Sequence, residues 1–171
     1  MNLLLSDRPL PPSLPETAEN RYISLSELKL SNCVGCFGCW VKTPGKCVIR
    51  DDAVKIYPLI AQSKRLLYVS RIYCGSYDIP MKTMLERAIP VQQAFLRLYH
   101  DETHHVQRNV VEKDAVILAY GADSKAEQDL FQQLVSRNAN NMSFKSWKIY
   151  FVEENELDRL ILEEVQKWEA C

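Results

Sequence analysis

The chain has 171 residues and a formal net charge of -1, from 21 basic and 22 acidic side chains. Hydrophobic residues make up 47% and charged residues 25%, which suits one globular domain over residues 1–171 with a core of its own, not a disordered chain. The charge balance excludes a global positive field for nucleic acid, and no apolar run reaches the roughly 18 residues of a membrane helix. Met1-Asn2-Leu3-Leu4-Leu5 is too short an apolar run for a signal peptide, and no basic residue precedes it, so the expected location is the cytoplasm.

Residues 2–5 read as a buried strand. Pro9, Pro11, Pro12 and Pro15 then forbid a regular helix, since each removes an N–H and restricts the residue before it. Tyr22 to Leu25 reads as a second short strand, and a cysteine-rich loop with Gly35, Gly38 and Gly45 fills 33–50. Asp51-Asp52 starts a helix that runs to Gln62, with Pro58 disturbing its middle. Arg65 to Ser70 is a buried strand, 71–79 a loop, and Pro80 opens a helix that Pro90 kinks or divides. Residues 100–113 read as an exposed polar loop. His100, His104 and His105 lie there beside Asp101 and Glu102, and nothing else converges on them to make a metal site. Asp114 to Tyr120 is a buried strand ended by Gly121. Ala126, Leu130, Phe131, Leu134 and Val135 mark a helix over 124–138, with Asp123 and Glu127 as its cap and first-turn acid. Trp147 to Val152 is the last strand, and Leu157, Leu160, Ile161, Val165 and Trp168 share one face of a final helix.

Apolar strands that alternate with helices argue for a doubly wound α/β protein with a parallel sheet covered on both faces. Ligands in such sheets bind at the carboxyl ends of the strands, so the loops 6–20, 71–79 and 121–124 matter most.

Four of six cysteines, Cys33, Cys36, Cys39 and Cys47, fall within fifteen residues, while Cys74 and Cys171 stand alone. The tight spacing of the first three suits an iron–sulfur cluster, and the glycines let the backbone close around one. Zinc prefers two separated pairs, though zinc or a redox-active thiol pair stays open. So do buried free cysteines packed as small hydrophobes. Lys42, Lys46 and Arg50 form a small basic edge around this segment, suited to a solvated loop or to steering an anionic cofactor or acidic redox partner.

The run Cys33-Val34-Gly35-Cys36-Phe37-Gly38-Cys39-Trp40, continuing as Thr43-Pro44-Gly45-Lys46-Cys47-Val48-Ile49-Arg50-Asp51-Asp52, resembles flavodoxin-like NAD(P)H-dependent FMN reductases, in particular the iron–sulfur flavoproteins. The resemblance continues through Ser70-Arg71-Ile72-Tyr73-Cys74-Gly75-Ser76, Pro80-Met81-Lys82, Leu85-Glu86-Arg87 and Tyr120-Gly121. It implies a flavodoxin-like, doubly wound five-stranded parallel sheet with FMN at the strand ends. The loop of Arg71, Ile72, Tyr73, Cys74, Gly75 and Ser76 would line the isoalloxazine ring, with Tyr73 packed near it and the Cys74 and Gly75 N–H groups on its polar edge. Tyr120 and Gly121 would supply a third wall, and Cys33, Cys36, Cys39 and Cys47 would hold a [4Fe–4S] cluster.

The first loop departs from that family. A Gly-Ser-rich loop and long helix, which cradle the FMN phosphate, are replaced by Ser6-Asp7-Arg8-Pro9-Leu10-Pro11-Pro12-Ser13. The first crossover helix is expected to be missing or degenerate, and only Ser6, Arg8 and Ser13 remain to meet a phosphate. Arg71 also stands where the family has a small or apolar residue. FMN is therefore expected to be held weakly and by its ring, and the missing helix to expose an apolar sheet face that a second copy or partner covers. The implied activity is electron transfer from NAD(P)H through FMN to a small-molecule acceptor, a redox partner protein or the cluster, with no catalytic side chain. The alternative is a cofactor-poor flavodoxin-fold subunit that binds a complete flavoprotein. Neither reading involves nucleic acid or a membrane, and both allow a homo-oligomer.

Overall fold

A computed structural model describes residues 1–169; Cys171 lies outside the described residues. The strands β1 (Asn2–Ser6), β2 (Asn20–Ser24) and β3 (Arg65–Tyr73) are built on the apolar runs seen in the sequence. So are the fourth and fifth parallel strands, Lys113–Tyr120 and Phe144–Val152. In chain order the five lie 2-1-3-4-5, all parallel. That is the flavodoxin-like order, with its topological switch point between β1 and β3.

Between β1 and β2 there is no helix. The crossover is an extended, proline-bound strap, as the ring constraints dictate. The apolar sheet face beneath it is nevertheless closed, which corrects the expected exposure. Leu4, Leu67 and Val69 are at most 1% exposed, and Leu10 and Leu14 of the strap pack against their cluster. The final helix, Leu157–Glu169, adds Leu157, Ile161 and Val165 from the same side. Two leucines and one helix thus do the covering that two helices would otherwise share.

The opposite face holds the larger core. After a short helix α1 (Gly38–Val41) comes α2 (Ala53–Gln62), which runs through Pro58 and buries Ile56 and Ile60. Past β3 the chain turns tightly into β4 (Ser76–Tyr77), antiparallel to it, and then into α3 (Ile79–Glu86), capped by the Asp78 carboxylate on the Ile79 N–H at 2.7 Å. Of the two outcomes expected at Pro90, a kink does not occur: α3 stops at Glu86, before the proline. A single 3-10 turn at Ile89–Val91 gives way to a two-stranded ribbon, β5 (Gln92–Tyr99) and β6 (Glu102–Gln107). The expected polar loop at 100–113 is thus half strand. His100 and Asp101 join the ribbon with φ of 51° and 60°, the paired left-handed conformation of a tight hairpin turn. His104 is buried between the Asn141 and Glu102 side chains, at 2.9 Å from each.

The fourth parallel strand is β7 (Lys113–Tyr120). It leads to α4 (Lys125–Met142), capped by Ser124 and burying Phe131, Val135 and Ala139. Then follow β8 (Phe144–Val152) and α5 (Leu157–Glu169). Among the described residues no helix is long and apolar enough to cross a membrane.

Candidate functional site

The carboxyl ends of β1, β3 and β7 meet at the switch point, and Asp7 sits in their midst. Its Oδ2 accepts from the Arg71 N–H at 2.7 Å and the Ser70 hydroxyl at 2.9 Å, and its Oδ1 from the Tyr120 hydroxyl at 3.1 Å. Burial pushes the Asp7 carboxyl above the usual range, while those three hydrogen bonds oppose the shift. Tyr120 is raised too, by burial and then by the adjacent carboxylate. One aspartate therefore ties three strands together and collects the donors that an incoming anion would need.

The remaining phosphate candidates are engaged or remote. Ser6 is fully buried, and its hydroxyl donates to the Arg8 carbonyl at 2.8 Å. Arg8 pairs with Asp158 at 3.1 Å. Ser13 lies exposed on the strap.

The loop expected to line a flavin ring is a hairpin tip. Tyr73 pairs with Ser76, and Cys74 and Gly75 between them both have positive φ, 50° and 70°. Tyr73 is 58% exposed, Ile72 is buried in the core, and Arg71 lies exposed with its Cγ folded over Gly121. The Gly75 N–H donates to Glu127 Oε1 at 3.0 Å, and the Asp123 N–H to Glu127 Oε2 at 2.9 Å. Hydrogen bonds from Asp123, Gly75 and Cys74 N–H groups hold the Glu127 carboxyl below the ordinary carboxylate value. The N–H groups expected on the flavin's polar edge are thus bound to the chain's own carboxylate.

These residues do not fit FMN as they stand. A phosphate would meet Asp7 instead of a helix N-terminus, and the ring's edge would meet N–H groups already bonded to Glu127.

The cysteine segment is different in kind. Cys33 and Cys36 are exposed, Cys39 and Cys47 half-buried. Among the described residues no three such side chains converge as metal ligands. Burial raises the Cys39 thiol, and the charges of Cys47, Cys33 and Cys36 raise it further. The loop is pinned at two places. Trp40 donates from its indole to the Gln92 carbonyl at 3.1 Å and packs on His105 at 4.7 Å between ring centroids. The Cys47 N–H donates to the Tyr57 hydroxyl at 3.1 Å.

Beneath Cys47 lies Arg87, only 1% exposed. It holds Asp51 with both terminal nitrogens, at 2.6 and 2.9 Å, and its Nη2 also lies 3.4 Å from Cys47 Sγ. Burial would raise Asp51, but the Arg87 and Ser31 hydrogen bonds lower it overall. The Arg87 Nε has no partner. Four thiols on one short segment, with a buried cation behind one of them, suit an iron–sulfur cluster in donor type and charge. Sequence reasoning placed Asp7 in the phosphate loop as a residue that repels an anion, but did not single out Arg87 or Glu127 for these positions.

No family model matches the chain. An iron–sulfur flavoprotein of Methanocaldococcus jannaschii is 31% identical over 80 residues, 47% of this chain and 40% of the relative. One from Archaeoglobus fulgidus is 32% identical over 68 residues, 40% of this chain and 30% of that protein. The chain thus matches well under half the length of these curated relatives. Among solved structures, the NAD(P)H:quinone oxidoreductase from Methanothermobacter marburgensis superposes with a TM-score of 0.59 at 8% identity, covering 98% of this chain and 96% of that one. An FMN-dependent NADH-azoreductase from Bacillus anthracis, in complex with FMN, gives 0.56 at 10% identity, covering 99% and 98%. At such identities the superpositions establish the fold alone. The chain is a flavodoxin-like α/β protein that is similar in sequence, over less than half its length, to iron–sulfur flavoproteins.

Proposed function

We propose that the chain is an electron-transfer protein of the iron–sulfur flavoprotein kind, in which Cys33, Cys36, Cys39 and Cys47 hold a [4Fe–4S] cluster and a reduced flavin or nicotinamide system supplies the electrons. The observation that carries this reading is the placement of four cysteines on one short segment, with the buried Arg87 guanidinium 3.4 Å from the sulfur of Cys47. Such a cluster passes single electrons between partners. Arg87 would stabilise negative charge at Cys47 and donate an N–H toward its sulfur, which favours the reduced state. Lys42, Lys46 and Arg50 are exposed around the loop and would steer an acidic redox partner. Anaerobic reconstitution with iron and sulfide, followed by metal analysis and a visible spectrum, tests the reading. Bound iron with broad absorbance near ~400 nm is expected. No iron after reconstitution overturns it.

A second reading, an FMN-dependent NAD(P)H oxidoreductase acting on a small-molecule acceptor, is favoured by the exposed Tyr73 ring at the end of β3. It requires Asp7 and Glu127 to release the donors they now hold. FMN bound tightly in the protein as purified would favour it over the first.

A further inference from the structure

The ribbon of β5 and β6 has one face tied down and the other bare. On the inner face Glu102 and His104 hold Arg137, Asn140 and Asn141 of α4. Their cross-strand partners Tyr99 and Arg97 share that face, with the Arg97 guanidinium 4.5 Å from the centre of the Tyr99 ring. Side chains alternate along a strand, so Leu96 and Leu98, with their partners His105 and Thr103, point the other way. The two leucines are left bare, Leu96 62% exposed and Leu98 82%.

The bare face runs on into the cysteine segment. His105 packs on Trp40, and Trp40 on Phe37, with ring centroids 4.7 and 5.6 Å apart. Phe37 is 60% exposed, and Val41, at the end of α1, is 71% exposed. Phe95, beside Leu96 in the irregular opening of β5, is 72% exposed. Five large apolar side chains so exposed offer on the order of 500 Å² of apolar surface, at roughly 100 Å² each. That rivals the largest apolar patch of an ordinary monomer, and such patches mark contact sites. A two-stranded ribbon is also marginally stable in water on its own, so a bare apolar face on one asks for a cover.

We propose that this face is the contact between two copies of the chain, related by a two-fold axis, with Leu96 and Leu98 of each ribbon packed on those of the other. Three features select a second copy. No acidic side chain, lysine or arginine stands among Leu96, Leu98, Thr103 and His105, so the face meets itself without like-charge repulsion. The ribbon's tip carries the exposed Asp101. Its root ends in Arg108 and is bonded through Trp40 to the segment that carries the exposed Lys42. Ribbons packed antiparallel bring each acidic tip toward the basic root of the other, whereas Asp101 would repel an acidic redox partner. A standard dimer buries about 800 Å² from each copy, a little over half of it apolar, which this face supplies. The contact needs no cluster or flavin, so it goes beyond the electron-transfer reading and stands without it.

Size-exclusion chromatography with light scattering, on the protein as purified and under reducing conditions, reads the mass. Wild type should run at twice the 19.8 kDa of one chain. Leu98→Glu should shift it toward one chain, with self-association weakened about tenfold or more in sedimentation equilibrium. At 82% exposure that side chain contributes little to the fold of a single chain, which far-UV circular dichroism and urea denaturation check. Ile79→Glu alters another exposed apolar residue, at the start of α3, and should leave the dimer intact. A wild type that stays monomeric at about 100 μM overturns the proposal. So does a dimer that Leu98→Glu leaves intact, because it forms elsewhere, and so does one that Ile79→Glu weakens as much as Leu98→Glu.

Discussion

At Asp7 a single side chain decides what the switch point accepts. A carboxylate that receives two hydroxyls and one backbone N–H is itself the bound anion of that pocket, and a second anion would bring like charge to within contact. Wild type should therefore show no preference for FMN over riboflavin, which differ only in the phosphate. Asp7→Ala should free the donors and create one, tightening FMN relative to riboflavin by about tenfold or more, since charge-assisted hydrogen bonds are the strong ones. Titration of both flavins by fluorescence measures the ratio, and a ratio near one in the variant would show that these donors do not recognise phosphate. Arg87 is the second decisive residue. Removing one partner of a buried ion pair strands the other, so Arg87→Ala should cost about 3–5 kcal/mol in urea denaturation. Arg87→Lys should cost less, because it keeps the charge but not the two-pronged grip on Asp51.

Turns, more than strands, separate the structure from what its sequence suggested. The central parallel strands β1, β3 and β7 were legible because both of their faces are largely buried, which leaves unbroken runs such as Leu3 to Leu5 and Ala115 to Ala119. The helices α4 and α5 were legible from their periodicity, and the helix-free crossover from its prolines. The ribbon of β5 and β6 was not. Its turn residues, His100 and Asp101, lack the Asn-Gly or Asp-Gly signal of a tight hairpin, and Pro90 suggested a kinked or divided helix where it in fact sits in a 3-10 turn after α3 has ended at Glu86. The candidate site was legible as a set of strand ends but not as a closed one. Asp7 and Glu127 act across 64 and 52 residues of chain, on the N–H groups of Arg71 and Gly75, and no local pattern announces such contacts. The Cys74–Gly75 turn can be tested as an element. Gly75 has a φ of +70°, and a Cβ there would lie 2.4 Å from Leu130 Cδ2. Gly75→Ala should cost about 1–3 kcal/mol in urea denaturation, and adding Leu130→Ala should recover the steric share while the backbone strain persists.

For the molecule as a whole, two faces of one sheet are closed by unequal means, and the weaker joints lie where chain segments meet rather than within elements. Lys113 marks one of them. It stands at the start of β7, 1% exposed, with its ammonium donating to the Val111 carbonyl at 2.5 Å and the Met142 carbonyl at 3.1 Å, at the end of α4. The two carbonyls and the negative end of the helix favour the charge, but burial outweighs them and lowers its pKa to about 8. The unfolded chain holds the same proton up to about pH 10.4. Between these values the unfolded state binds more protons than the folded one, so stability must rise with pH. Below pH 8 the cost of burying the charge is present in full; above it, deprotonation relieves that cost progressively. The gain should be about 2–3 kcal/mol across the window, as an order of magnitude. Cysteines and other groups titrate in the same range, so the comparison is between wild type and Lys113→Met, each unfolded in urea at pH 7.5 and pH 10. Wild type should gain stability relative to the variant as pH rises. Parallel behaviour of the two proteins would mean that Lys113 titrates as an ordinary surface lysine, and that β7 is not joined to the end of α4 through a buried charge.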